Sequence, residues 1–110
     1  MKSIVNNLKR ASVEMILLSL LCEEDMYGYQ MAQEIKKRSN GEFSILEGSM
    51  YPILYRLTAN GDVTFEEKKV GERLTRVYYH ITDAGKQDLQ HMKDVFNHSV
   101  DIIETLTKNS

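Results

Sequence analysis

Two sets of hydrogen-bond donors in this chain are suited to an anionic partner. The first is Tyr51, Tyr55 and Arg56, two phenols and a guanidinium at helical spacing within the stretch Gly48 to Gly61. The second is Lys68, Lys69, Arg73 and Arg76, which meet a single acid, Glu72, between Lys68 and His80, a local charge of +3. Phenols and guanidinium groups donate to phosphate oxygens or to base edges, and closely spaced cations follow a phosphate backbone. Groups suited to catalysis are not assembled in the same way. His80, His91 and His98 are scattered, with no nucleophile or base grouped near them. The single Cys22 cannot form an internal disulfide, and no Cys/His spacing resembles a zinc site. The expectation is a binding protein, not an enzyme, with no cofactor and no metal.

The first donor set requires a helix. Met50, Ile53, Leu54 and Leu57 follow the i, i+3, i+4, i+7 rule and form an apolar stripe. At 100° per residue the opposite side carries Pro52, Tyr55 and Ala59, flanked by Tyr51 and Arg56, and it has no carboxylate. The sequence predicts Ser49 as the cap, Pro52 in the first turn and Gly61 as a left-handed stop after Asn60.

The second donor set requires a hairpin. After Gly61 the apolar period changes to two, with Val63 and Phe65 alternating with Asp62, Thr64 and Glu66. Val77, Tyr79 and Ile81 alternate in the same way with Arg76, Tyr78 and His80. Lys68 to Arg73 then forms a charged tip with Gly71 at its turn. A tyrosine-bearing helix followed directly by a basic two-stranded wing is the order of a winged helix-turn-helix.

The flanking segments read as helices. Ser3 to Cys22 carries a seam of Ile4, Leu8, Ala11, Met15, Leu18 and Cys22, and its nearly all-apolar second half should be buried, Cys22 as a packed thiol. Asp25 is expected to cap a second helix from Met26 to about Ser39, with Gly28, Met31, Ala32 and Ile35 inward. Gly28 would let another helix approach closely, and Lys36, Lys37 and Arg38 would complement the helix dipole. Thr82 should cap a last helix running to about Thr107, with Asp83 in its first turn. Its seam of Leu89, Met92, Phe96, Ser99, Ile103 and Leu106, widened by Val95 and Ile102, extends further than so small a domain can cover. A second copy of the chain is the expected partner.

The expected fold is therefore mainly α with a small β-hairpin wing (α+β), a winged helix-turn-helix plus a long C-terminal helix. Residues 1–82 would form the DNA-binding domain and 83–110 the dimerisation helix. With 110 residues, 42% hydrophobic and 27% charged, the chain suits one compact domain. Its net charge is −2 and its pI about 5.9, so outside the Lys68–His80 stretch the balance is −5, and contact with a polyanion would be focused at one place. The longest apolar run, Met15 to Cys22, is eight residues, and Lys9, Arg10 and Glu14 break any signal-peptide layout, so a cytoplasmic location is expected. A protein–protein adaptor using the same winged fold without DNA is the alternative reading.

Several runs also resemble a known family. Tyr27-Gly28-Tyr29, Glu47-Gly48-Ser49-Met50-Tyr51-Pro52, Tyr55-Arg56-Leu57 and the continuous run from Arg76 through Thr82 and Gly85 to Lys86 resemble the PadR family of bacterial transcriptional regulators. The match spans roughly residues 11 to 90, in the manner of the short subgroup. The resemblance implies a repressor, dimeric through its first helix (Leu8) and its last, that binds a double-stranded operator as a two-fold pair. It implies Ser49, Tyr51 and Tyr55 at the DNA face and Lys68, Lys69, Arg73 and Arg76 as wing contacts. It further implies release by small aromatic or drug-like effectors. The sequence departs from the family's pattern in having Val77 where a basic residue is common, and in lacking the tryptophan with which some relatives stack planar ligands. Phe96 occupies the corresponding seam.

Overall fold

A computed structural model of the chain describes residues 2–109, and their side chains from Ser12 onward. The order is α1 (Lys2–Glu23), β1 (Met26–Tyr27), α2 (Gly28–Arg38), α3 (Glu47–Ala59), β2 (Val63–Lys69), β3 (Thr75–Ile81) and α4 (Asp83–Thr107). The strands form one antiparallel sheet in the order β1-β3-β2. This is the expected α+β winged helix with a long last helix.

The core sits where the apolar stripes of α1, α2 and α3 converge on one end of the sheet. Leu17, Leu18, Met31, Met50 and Leu54 are fully enclosed. All four residues of the predicted α3 stripe are buried, and each such side chain contributes about 1.5–3 kcal/mol relative to exposure. On α2, Gly28, Met31 and Ile35 face inward as expected, with Ala32 packed alongside. On α1 the observed inner face is Val13, Leu17, Leu18, Leu20 and Leu21. That face is rotated from the predicted seam, and Cys22 is exposed instead of packed. In a nearly all-apolar run the side facing the core is set by neighbouring elements, because the pattern has little contrast. Ile4, Leu8 and Ala11 lie outside the residues whose side chains are described.

Three local expectations are corrected. Asp25 does not cap α2: Met26 and Tyr27 form β1, pairing with Tyr79 and Tyr78 of β3, and α2 begins two residues later behind an extended Tyr27. Asp25 instead accepts from His80 Nδ1 at 2.8 Å. The gain is a third strand on an otherwise marginal two-stranded ribbon, with Met26 sealed at 1% exposure. Ser49 does not cap α3 either, since that helix starts at Glu47 behind Leu46 without a side-chain cap. Glu47 in the first turn favours the helix dipole, and Pro52 falls in the second turn, where it cannot donate to the Gly48 carbonyl. Finally, Lys68 and Lys69 end strand β2, so the hairpin tip is only residues 70–74.

The corner between α3, β2 and α4 is tied by Thr82 as expected. Its hydroxyl donates to the Gly61 carbonyl at 2.7 Å and accepts from Gly85 N at 3.0 Å, and its own N–H donates to the Asp62 carbonyl at 3.0 Å. Gly61 takes the left-handed conformation (φ +80°) that stops α3. Gly85 is required for a different reason: a Cβ there would collide with the Asp62 carbonyl oxygen and press on Ile81. Asp62, expected on an exposed strand face, is buried beneath this corner.

Candidate nucleic-acid interface

With one side of α3 sealed in the core, the other side is open. Tyr55 is 78% exposed and Tyr51 43% exposed, and both border a groove between α3 and the hairpin. Pro52 shares the helix wall, while Phe65, Val77 and Tyr79 form the opposite wall. Val77 thus stands where an apolar lining is needed, on the sheet face turned to α3. Phe65 and Tyr79 pack at 6.3 Å between ring centroids. Neither ring had been marked as part of this site, although their alternation with polar neighbours carried the signal.

Tyr51 is held at the hydroxyl end of its ring. Its hydroxyl donates to Glu47 Oε2 at 3.1 Å and lies directly above Gly28, where a Cβ would come within 2.8 Å of it. The close approach predicted for Gly28 is therefore made by this phenol. Partial burial, and then the Glu47 hydrogen bond, raise the Tyr51 pKa, so the phenol stays protonated as a donor. Burial raises Tyr79 in the same way. Ser49 is exposed in the first turn of α3, while its neighbour Gly48 borders the groove.

Arg56 is placed differently from expectation. Glu14 of α1 takes its Nη2 at 2.8 Å and its Nε at 3.1 Å on one oxygen. The guanidinium thus ties α3 to α1 through Nε and Nη2. Pairing across 42 residues of sequence leaves no local pattern to read.

The strand register separates the wing cations. Lys68 lies opposite Arg76 and Glu66 opposite Tyr78, so these share the sheet face turned from α3, together with Tyr27. Arg76 stacks over the Tyr27 ring at 4.4 Å and Lys68 lies over Tyr78 at 5.1 Å. The two rings meet edge-on at 5.5 Å, and each cation gains from the ring quadrupole. Lys69, opposite Thr75, belongs to the groove side, and Arg73 is exposed at the tip. Glu66 and Glu67 stand in β2 as well, so over the whole hairpin four cations face three acids.

The proposed dimer seam divides in two. Leu89 is buried (7% exposed) in the chain's own core, and Met92 packs partly against it. Leu89 is therefore not available to a second chain. Beyond Met92, Phe96, Ile103 and Leu106 are exposed, with Val95, Val100 and Ile102 beside them. Ser99 turns its hydroxyl to the Val95 carbonyl at 2.8 Å. Phe96 borders a groove with Met15, Ile16 and Leu20 of α1. Among the described residues no helix is long and apolar enough to cross a membrane, and no group of three or more potential ligands is placed to hold a metal.

Comparison with known proteins agrees with this geometry. Residues 17–91 match the Transcriptional regulator PadR-like family. An uncharacterised protein of Lysinibacillus sphaericus is 35% identical over 83 residues, which is 76% of each chain. The crystal structure of a PadR family transcriptional regulator from Eggerthella lenta superposes with a TM-score of 0.87 at 27% identity, covering 99% of this chain and 93% of that one. The negative transcriptional regulator PadR of Bacillus subtilis is 33% identical over 73 residues, 66% of this chain but only 40% of that protein. Its crystal structure in complex with operator DNA superposes with a TM-score of 0.68 at 30% identity, covering 73% of this chain and 45% of that one. Through the matched helices, the strands and the root of α4, this chain belongs to the PadR-like family of transcriptional regulators.

Proposed function

We propose that the chain is a DNA-binding transcriptional regulator, a repressor that acts as a homodimer and releases its operator when a small aromatic effector binds. The observation that carries this reading is the open pair Tyr51 and Tyr55 beside the hairpin, on a helix whose other face is sealed. The structure of the Bacillus subtilis relative with operator DNA supports it, and that relative's description as a negative regulator supports repression. In this reading Ser49, Tyr51 and Tyr55 enter the major groove, where hydroxyls meet phosphates and base edges. Lys69 and Arg73 reach the backbone from the groove side and the tip, and Lys68 and Arg76 from the outer face. Arg56 acts from behind, fixing α3 against α1. The exposed half of the α4 seam, from Phe96 to Leu106, meets its copy in the dimer, and Phe96 offers a face for stacking a planar ligand.

Fluorescence polarisation at low salt, with the promoter of the chain's own gene as probe, tests the reading. The wild-type protein should bind, with affinity falling steeply as salt rises. Tyr51→Ala with Tyr55→Ala should weaken binding about tenfold or more, at about 1–3 kcal/mol per good base contact, while the mass in solution is unchanged. Binding that survives both substitutions would remove α3 as the reader.

A further inference from the structure

We propose that the junction between α4 and the winged body is a proton-operated latch, closed while the buried, unpartnered Asp62 carboxyl is protonated and loosened when it ionises. Asp62 is 2% exposed, and its Oδ1 has no hydrogen-bond partner. Its backbone is fixed on both sides: its N–H donates to the Leu57 carbonyl at 2.9 Å, and its carbonyl accepts from Thr82 N at 3.0 Å. The side chain therefore has little freedom to leave. The groups facing it are themselves acidic, Asp88 from α4 and Glu14 from α1. Arg56 of α3 is engaged by Glu14, and Thr82, the cap of α4, brings an uncharged hydroxyl to this corner.

A buried carboxyl whose neighbours are carboxylates cannot ionise cheaply. Burial first, then the hydrogen bond with Asp88, then the charges of Asp88 and Glu14, push Asp62 up to about 6. Because this lies above the ordinary value of 3.8, the folded chain keeps a proton that the unfolded chain releases. The resulting stabilisation is complete below about pH 4, fades as pH rises through about 6, and is absent at higher pH. Once the proton is lost, Asp62 and Asp88 repel each other at the point where Gly85 seats α4 against the Asp62 carbonyl. Acidification tightens the root of α4 and alkalinity loosens it.

The test is thermal unfolding of the full chain from pH 5 to pH 8 at fixed protein concentration, for the wild type, Asp62→Asn and Asp88→Asn. The wild-type midpoint should fall across this range by about 5 °C, the size of shift that a change of about 1 kcal/mol gives a chain of this length. Asp62→Asn should be nearly flat, since its amide can donate to Asp88 at every pH. Imidazoles titrate in the same region, so the diagnostic quantity is the difference between wild type and variant. Hydrogen-exchange protection of the first turn of α4 should drop between pH 5 and 7.5 in the wild type only. Carboxyl carbon NMR should show Asp62 titrating near pH 6. An unchanged slope in Asp62→Asn, or an Asp62 carboxyl titrating near its ordinary value, would overturn the latch. No DNA enters these measurements, so their outcome is independent of the proposed function.

Discussion

The two halves of α4 are built alike in sequence and face different surroundings. Near its start, Gly85 and Leu89 are buried and Met92 is partly covered. Beyond it the same seam continues through Phe96, Ser99, Ile103 and Leu106, with Val95, Val100 and Ile102 beside it, and every apolar member is exposed. The apolar repeat does not change at Met92; what changes is the supply of neighbours, because the winged body ends there. An apolar seam therefore records that burial is required but not which chain provides it. The first half belongs to the folding core, and the second is the half we propose for assembly.

Substitutions on either side of this boundary should separate the two roles. Gly85→Ala should have the largest effect, about 3 kcal/mol or more in chemical denaturation, because the new methyl meets backbone that cannot move aside. Leu89→Ala comes next, at about 2–3 kcal/mol, as a large-to-small change at a buried site. Thr82→Ala should cost about 1 kcal/mol through loss of the cap, measured in the same denaturation series. Leu106→Ala, chemically identical to the change at position 89, should alter folding stability of the dilute chain by less than about 0.5 kcal/mol. In analytical ultracentrifugation it should instead weaken self-association about tenfold, equivalent to about 1.4 kcal/mol. If the two leucine substitutions destabilised the dilute chain equally, the distinction between the halves would fail.

Legibility in the sequence followed the same contrast between local and distant causes. The α3 stripe, the left-handed stop at Gly61, the Thr82 cap and the span of α4 were all readable, because each depends on residues within a few positions. Strand β1 was not readable, since two residues carry no period and Met26 is strand only through Tyr79, far along the chain. The capture of Arg56 by Glu14 and the burial of Asp62 were hidden for the same reason. In the candidate interface the sequence put the tyrosines on the open side of α3 but pooled four wing cations that the pleat distributes over two faces and a tip. Strict alternation from Lys68 to Arg76 would have suggested this, had the turn been confined to residues 70–74.

The stacked pairs on the outer face of the sheet give the hairpin a graded stiffness. Arg76 and Lys68, one pair short of the end of the ladder, reach back over the Tyr27 and Tyr78 rings beside β1, whereas Arg73 sits in the short loop beyond the ladder. The hairpin thus acts as a cantilever, rigid at its mount and compliant at its free end. An uneven or bent binding surface can be followed by the end of such a beam without disturbing the alignment of α3.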